Sequence, residues 1–233
     1  MAEKPSTFGQ ALRVIAIVLF GLCSAVMLLG GIGTSCVAWA PLNFGERMAA
    51  LASMQWLYIL ASITTTGLGV FGIWVTVALA RGRRWSYRGA LGMLIAGLAL
   101  AGSQMIASEM LRGSSAPNNM RVYITIFTLA VFLLLRLPGL WNTLGGFTQP
   151  GGTDTPGAAA GAALAVIGLA MLTVHLWAAS THTLGGVNYA DVWHLPLTIG
   201  GSAITLIGLV VIGISALDAP AVRRLAPAAE PEM

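Results

Sequence analysis

The side chains best equipped for chemistry are concentrated in one stretch, THTLGGVNYADVWHLP at 181–196. It holds His182, Asp191 and His194, two of the chain's three histidines with one carboxylate. Imidazole nitrogens and carboxylate oxygens are common donors to a divalent metal. Asp191 and His194 are three positions apart, so one helical turn would bring them to the same side, within reach of His182 from the preceding loop. The third histidine, His175, lies seven residues before His182, about 10.5 Å along a continuous helix. Helical ligand pairs that share an ion are spaced three or four apart, so His175 is left out. A metal ion held by His182, Asp191 and His194 is the one cofactor the sequence leaves open; otherwise none is predicted. The plainer reading is an interfacial loop whose rings meet water and lipid headgroups.

A second candidate set comes from depth along the apolar runs. Gln104 falls about 7.5 Å inside the boundary marked by Glu109, and His175 and Thr198 come out at similar depth on two other runs. These three could converge on an outward-facing, ligand-binding polar pocket. Depth does not give facing direction, and the alternative is that each bonds to a nearby helix carbonyl. A haem held by two histidines is disfavoured, because His175 is the only histidine within a span. No GxxxxGK[ST], HExxH, CxxC or G-x-S-x-G motif occurs, and no pair of carboxylates lies inside an apolar run. The chain therefore has no recognisable catalytic machinery, and the reading leans away from an enzyme.

The elements that must carry these residues are membrane helices. Hydrophobic residues make up 57% of the 233 positions, charged residues 9%, and the mean hydropathy is +0.83, whereas soluble domains are roughly 25% charged. Uncharged runs predict six spans, at about 14–36, 56–80, 89–108, 122–137, 158–179 and 195–217. Arg88 and Glu109 bracket the third by about 31 Å of helix, matching a hydrocarbon core of roughly 30 Å. The fold class expected is an all-α polytopic membrane bundle of about six transmembrane helices.

Charge sets the expected orientation. Arg81, Arg83, Arg84 and Arg88 crowd the connection RGRRWSYR, which should be cytoplasmic. Alternation then places both termini in the cytoplasm, with Lys4, Arg13, Arg136, Arg223 and Arg224 on the same side and Arg47, Arg112 and Arg121 outside. The net charge of +4 is read as this topology signal and not as a nucleic-acid surface. Trp39, Trp56, Trp177 and Trp193 should mark the outer interface, and Trp85 and Trp141 the inner one. Arg136, just before Pro138-Gly139, should anchor the inner end of the fourth span.

Four regions follow: a four-helix part at 1–141, a flexible cytoplasmic linker at 142–157, a transmembrane hairpin at 158–217 and a disordered tail at 218–233. Met48, Leu51 and Ala52 suggest a short interfacial helix in the first outer loop. The small pairs Gly21/Ala25, Gly92/Ala96, Gly97/Ala101 and Gly157/Gly161 favour close helix approach. Cys23 and Cys36, about 20 Å apart on one helix, are expected as free thiols. Thr64, Thr65 and Thr66 should bond back to their own helix. Ala38-Trp39-Ala40 has the look of a cleavage site, but the preceding run is too long for a signal peptide and reads as an anchor.

The function expected is that of an accessory or structural subunit of a membrane complex. The alternatives are a small-molecule transporter or ligand-binding bundle, and a metal-linked membrane enzyme using the outer histidines. Expected partners are the lipid bilayer and other membrane subunits, with no nucleic acid. Eleven of the twelve basic residues are Arg, and this bias, with abundant Ala and Gly, points to a bacterial inner membrane.

Overall fold

The computed structural model describes residues 7–148, 155–177, 183–184 and 186–217. Position 182 and the segments 149–154 and 218–233 lie outside the described residues. The chain is an all-α bundle, because apolar segments satisfy their backbone polar groups internally only as helices. Its long helices are α1 (Thr7–Trp39), α3 (Gln55–Ala80), α4 (Ser86–Arg112), α5 (Asn118–Leu135), α7 (Thr155–Trp177) and α9 (His194–Leu217). Short helices α2 (Glu46–Ala49), α6 (Pro138–Thr143) and α8 (Tyr189–Val192) sit in the connections, with a two-residue strand pair, Thr183–Leu184 and Val187–Asn188, before α8.

Among the described residues, five helices are long and apolar enough to cross a membrane: α1, α3, α4, α5 and α9. The remaining expected span, α7, has 23 residues but a shorter apolar run, Pro156–Leu172. The connection between α1 and α3 forms 3-10 turns on either side of α2. We call the end of the bundle that carries Trp39, Arg112 and His194 the distal end, and the other the proximal end.

Helices α1, α3, α4 and α5 form a four-helix unit in which α1 lies along α3, α3 against α4, α4 against α5, and α5 against α1. Its core includes Phe20, Met27, Val75, Leu79, Met93, Leu94 and Phe132. Helix α7 leans on α1 and runs along α9. Glycine makes both tight pairs possible. A methyl added to Gly69 would sit 2.5 Å from Cα of Leu28, and one on Gly208 2.5 Å from the amide of Ala165. Of the small pairs singled out above, Gly21, Gly97, Gly157 and Gly161 meet a neighbouring helix, whereas Gly92 faces open space.

Two smaller expectations resolve differently. Residues 142–148, read from composition as flexible linker, carry Leu144 and Phe147, both buried in the core. Gly146 at φ 63° turns the chain so that Phe147 enters the bundle, a detail averaged away in a Gly-rich composition. Thr64 and Thr66 bond back to Leu60 and Ser62 at 2.8 Å, but Thr65 is buried and its hydroxyl finds no partner among the described residues. Both cysteines are free, Cys23 buried and Cys36 exposed.

Candidate functional site

The distal half of the four-helix unit has a polar interior. On α5, Asn118, Arg121, Thr125 and Thr128 recur at three- and four-residue steps, and all four are buried. That spacing draws one polar stripe down one helix face. A polar stripe on an apolar helix turns away from lipid, where unpaired groups are costly. On α4, Gln104 and Ser108 face inward one turn apart, and Arg112 follows at the next turn. Tyr58 and Thr65 contribute from α3.

Hydrogen bonds link part of this set. Asn118 donates from Nδ2 to the Gln104 carbonyl at 3.4 Å, and its Oδ1 accepts from Arg121. Thr125 donates to the Arg121 carbonyl at 2.6 Å. Arg112 ties down the α4–α5 turn, bonding Ser108 Oγ at 2.9 Å and the Ala116 carbonyl at 2.7 Å. Tyr58 faces Ser108 and Arg112 across the helix pair.

Other groups in the same region are left over. Both amide atoms of Gln104, the Tyr58 hydroxyl and Nη1 of Arg121 have no partner among the described residues. The described carboxylates, Glu46, Glu109 and Asp191, are all exposed, so none of them neutralises Arg121. A buried polar group without a partner costs about 1–3 kcal/mol, and a charged one more.

Gln104 and Tyr58 also line a cleft of about 330 Å³ between α3 and α4. Its walls are mainly apolar, with Leu57, Leu60 and Leu68 from α3 and Ala96, Leu100 and Ala107 from α4. The small residues of α4 leave room opposite the leucines of α3, and the cleft opens sideways past exposed Leu60, Thr64 and Ser103. Neither His175 nor Thr198 lines it. Those two lie on the α7–α9 pair, where Thr198 bonds back to the His194 carbonyl at 2.8 Å.

At the distal end of that pair, the rings of His175 and His194 meet edge to face with centroids 4.9 Å apart. Spacing along one helix set His175 aside, but the hairpin closes in space what the sequence separates. Nδ1 of His175 is shielded and has no partner among the described residues. Asp191 accepts from Asn188 Nδ2 at 2.7 Å, and the same Asn188 caps α8. His182, the third member of the candidate metal set, lies outside the described residues. Among the described residues, no three of His, Cys, Asp and Glu gather where they could hold a metal.

The proximal end holds a second buried cation, Arg13, which charge alone assigns to the cytoplasmic-side terminus. Arg13 is buried and donates from Nη2 to the Leu79 carbonyl at 3.0 Å. That carbonyl lies in the last turn of α3 and also accepts from the Gly82 amide at 3.1 Å. Its guanidinium also lies 5.2 Å from the centroid of the Phe147 ring. Phe147 belongs to an aromatic cluster with Tyr87, Phe132 and Trp141, in which Tyr87 donates to the Phe132 carbonyl at 2.7 Å. Arg136 instead stays exposed, 4.4 Å over the Trp141 ring.

Fold and site together define a multi-pass, membrane-type helix bundle with a polar distal interior. Comparison with known protein families, with curated proteins and with solved structures finds no match.

Proposed function

We propose that this chain is a non-catalytic, multi-pass subunit of a membrane complex, with both termini cytoplasmic, that docks to its partner through α9. The observation that carries this reading is the isolation of α9. Only 11% of its most apolar window is buried inside the chain, against 33–39% in the other four long spans. It runs along α7, while α1 and α3 meet α7 instead. Leu195, Ile199, Leu206, Val210 and Ile214 form an exposed face at helical spacing. Tight glycine contacts hold α9 to α7, so the hairpin offers this face as a rigid unit. Purification in mild detergent is expected to yield a stoichiometric membrane partner, with photocrosslinks from Ile199 and Leu206 landing on it. A monomer, or crosslinks to lipid alone, would overturn the reading.

A second reading, a ligand-binding bundle, is favoured by the cleft at Gln104. An apolar groove with the unsatisfied Gln104 amide in its wall suits a membrane-dissolved molecule bearing a carbonyl or hydroxyl group. A cognate compound should raise the thermal unfolding midpoint of the wild type but not of Gln104→Leu. Equal stabilisation of both would remove Gln104 from any such site.

A further inference from the structure

At the proximal end, a groove of about 750 Å³ lies beside the α3–α4 turn, lined by Arg81, Arg83 and Arg84 together with Trp74, Trp85 and Val77. All three arginines are exposed, and among the described residues the lining carries no carboxylate. The chain is forced into this shape because α3 ends at Ala80 and Gly82, at φ 65°, reverses direction at once. The reversal folds Arg83 and Arg84 back over the last turn of α3. Beside them the rings of Trp74 and Trp85 lie tilted at 35° with centroids 4.5 Å apart, and Phe71, outside the groove's own lining, extends the aromatic surface 5.7 Å from Trp74.

The groove is therefore graded: an aromatic and aliphatic floor on the side of a membrane helix, and three guanidiniums at its rim. Tryptophan favours the level where hydrocarbon gives way to headgroups. Guanidinium forks match phosphate oxygens, and three exposed cations converging on one groove without a described acid are complemented by an anion. We propose that this groove binds the phosphate headgroup of an anionic glycerophospholipid, with the acyl chains lying along Trp74 and Phe71. The pattern goes beyond a topology signal, since topology needs basic residues in the connection but not a cavity with an aromatic floor.

The test uses the full-length protein in nanodiscs and in native mass spectrometry, with phosphatidylglycerol, phosphatidylcholine and inorganic phosphate as separate probes. Phosphatidylglycerol is expected to stay bound in preference to phosphatidylcholine. Arg83→Gln with Arg84→Gln should weaken that retention by about fivefold per guanidinium removed. Arg223→Gln with Arg224→Gln, which removes the same charge from the tail, should leave it unchanged. Trp85→Ala should loosen both lipids while preserving the preference for the anionic one. Equal loss in the tail variant would reduce the effect to net charge and overturn the proposal. So would equal retention of the two lipids, or saturation by inorganic phosphate that displaces no lipid. Unfolding midpoints within a few degrees of wild type separate any of these results from misfolding.

Discussion

The α1–α3 and α7–α9 pairs are built on the same contact and end in different surroundings. In both, glycines let the backbones touch: a methyl on Gly31 would lie 2.6 Å from the Thr66 amide, and one on Gly168 2.6 Å from the Gly201 carbonyl. Around α1–α3, two further helices close the unit and bury Arg13, Ser24, Ser62 and Thr65. Around α7–α9, α1 and part of α3 cover α7 on one side, and α9 keeps most of its circumference exposed. Small residues thus decide which helices pair. Polar residues decide which pair lies inside, because a hydroxyl or guanidinium facing lipid forfeits the partners it finds within the bundle.

The hardest test of this contrast is overpacking. Gly69→Leu drives a side chain into the backbone of Leu28 and should destabilise the whole bundle by about 3 kcal/mol or more, read as loss of monodisperse protein in size-exclusion chromatography. Gly208→Leu should instead part α7 from α9 and leave the four-helix unit folded. Proteolysis would then release a C-terminal fragment while the core kept its unfolding transition. If both variants collapse the core alike, the two pairs are not the separate units described above.

The buried cations give the next largest effect. Arg13→Leu removes a charged hydrogen bond to Leu79 and the contact with Phe147, and should cost about 1.5–3 kcal/mol in detergent unfolding. Arg121→Leu removes the buried hydrogen bond to Asn118 but relieves a cation that no described carboxylate neutralises and that has no ring contact like that of Arg13 with Phe147, so it should cost less than Arg13→Leu. An equal or larger loss would show that the bond to Asn118 outweighs the burial of the charge. Tyr87→Phe deletes one buried bond, to Phe132, and should cost about 1 kcal/mol. At the bottom of the scale, His194→Ala changes an exposed ring on the peripheral pair and should shift stability by no more than about 0.5 kcal/mol.

Much of the architecture was legible in advance. Uncharged runs located all the long helices, and Arg88 with Glu109 bracketed α4 to within three residues of its ends. The polar interior was less legible. Gln104 was found from its depth, but Arg121 was counted as a loop charge because it stands at the start of its apolar run. The stripe from Asn118 through Arg121 and Thr125 to Thr128 was the available signal, since only one helix face carries those groups. Arg13 was missed for the opposite reason: nothing beside it in sequence says that the last carbonyls of α3 lie across from it. Phe147 was hidden by the composition of its segment, where one aromatic ring sits among glycines and threonines.

The sequence by itself determined that the chain is a bundle of apolar helices, roughly where those helices lie, and which of them carry glycine at spacings fit for close contact. Those properties follow from local composition and helical period, which need no information from elsewhere in the chain. Only the tertiary structure decided that Arg13 meets Leu79, that Gln104 borders a cleft while His175 turns to His194, and that α9 is left with a single long neighbour. The physical reason is that a helix presents every direction of its circumference equally. Which face is satisfied depends on the helix that comes to rest against it.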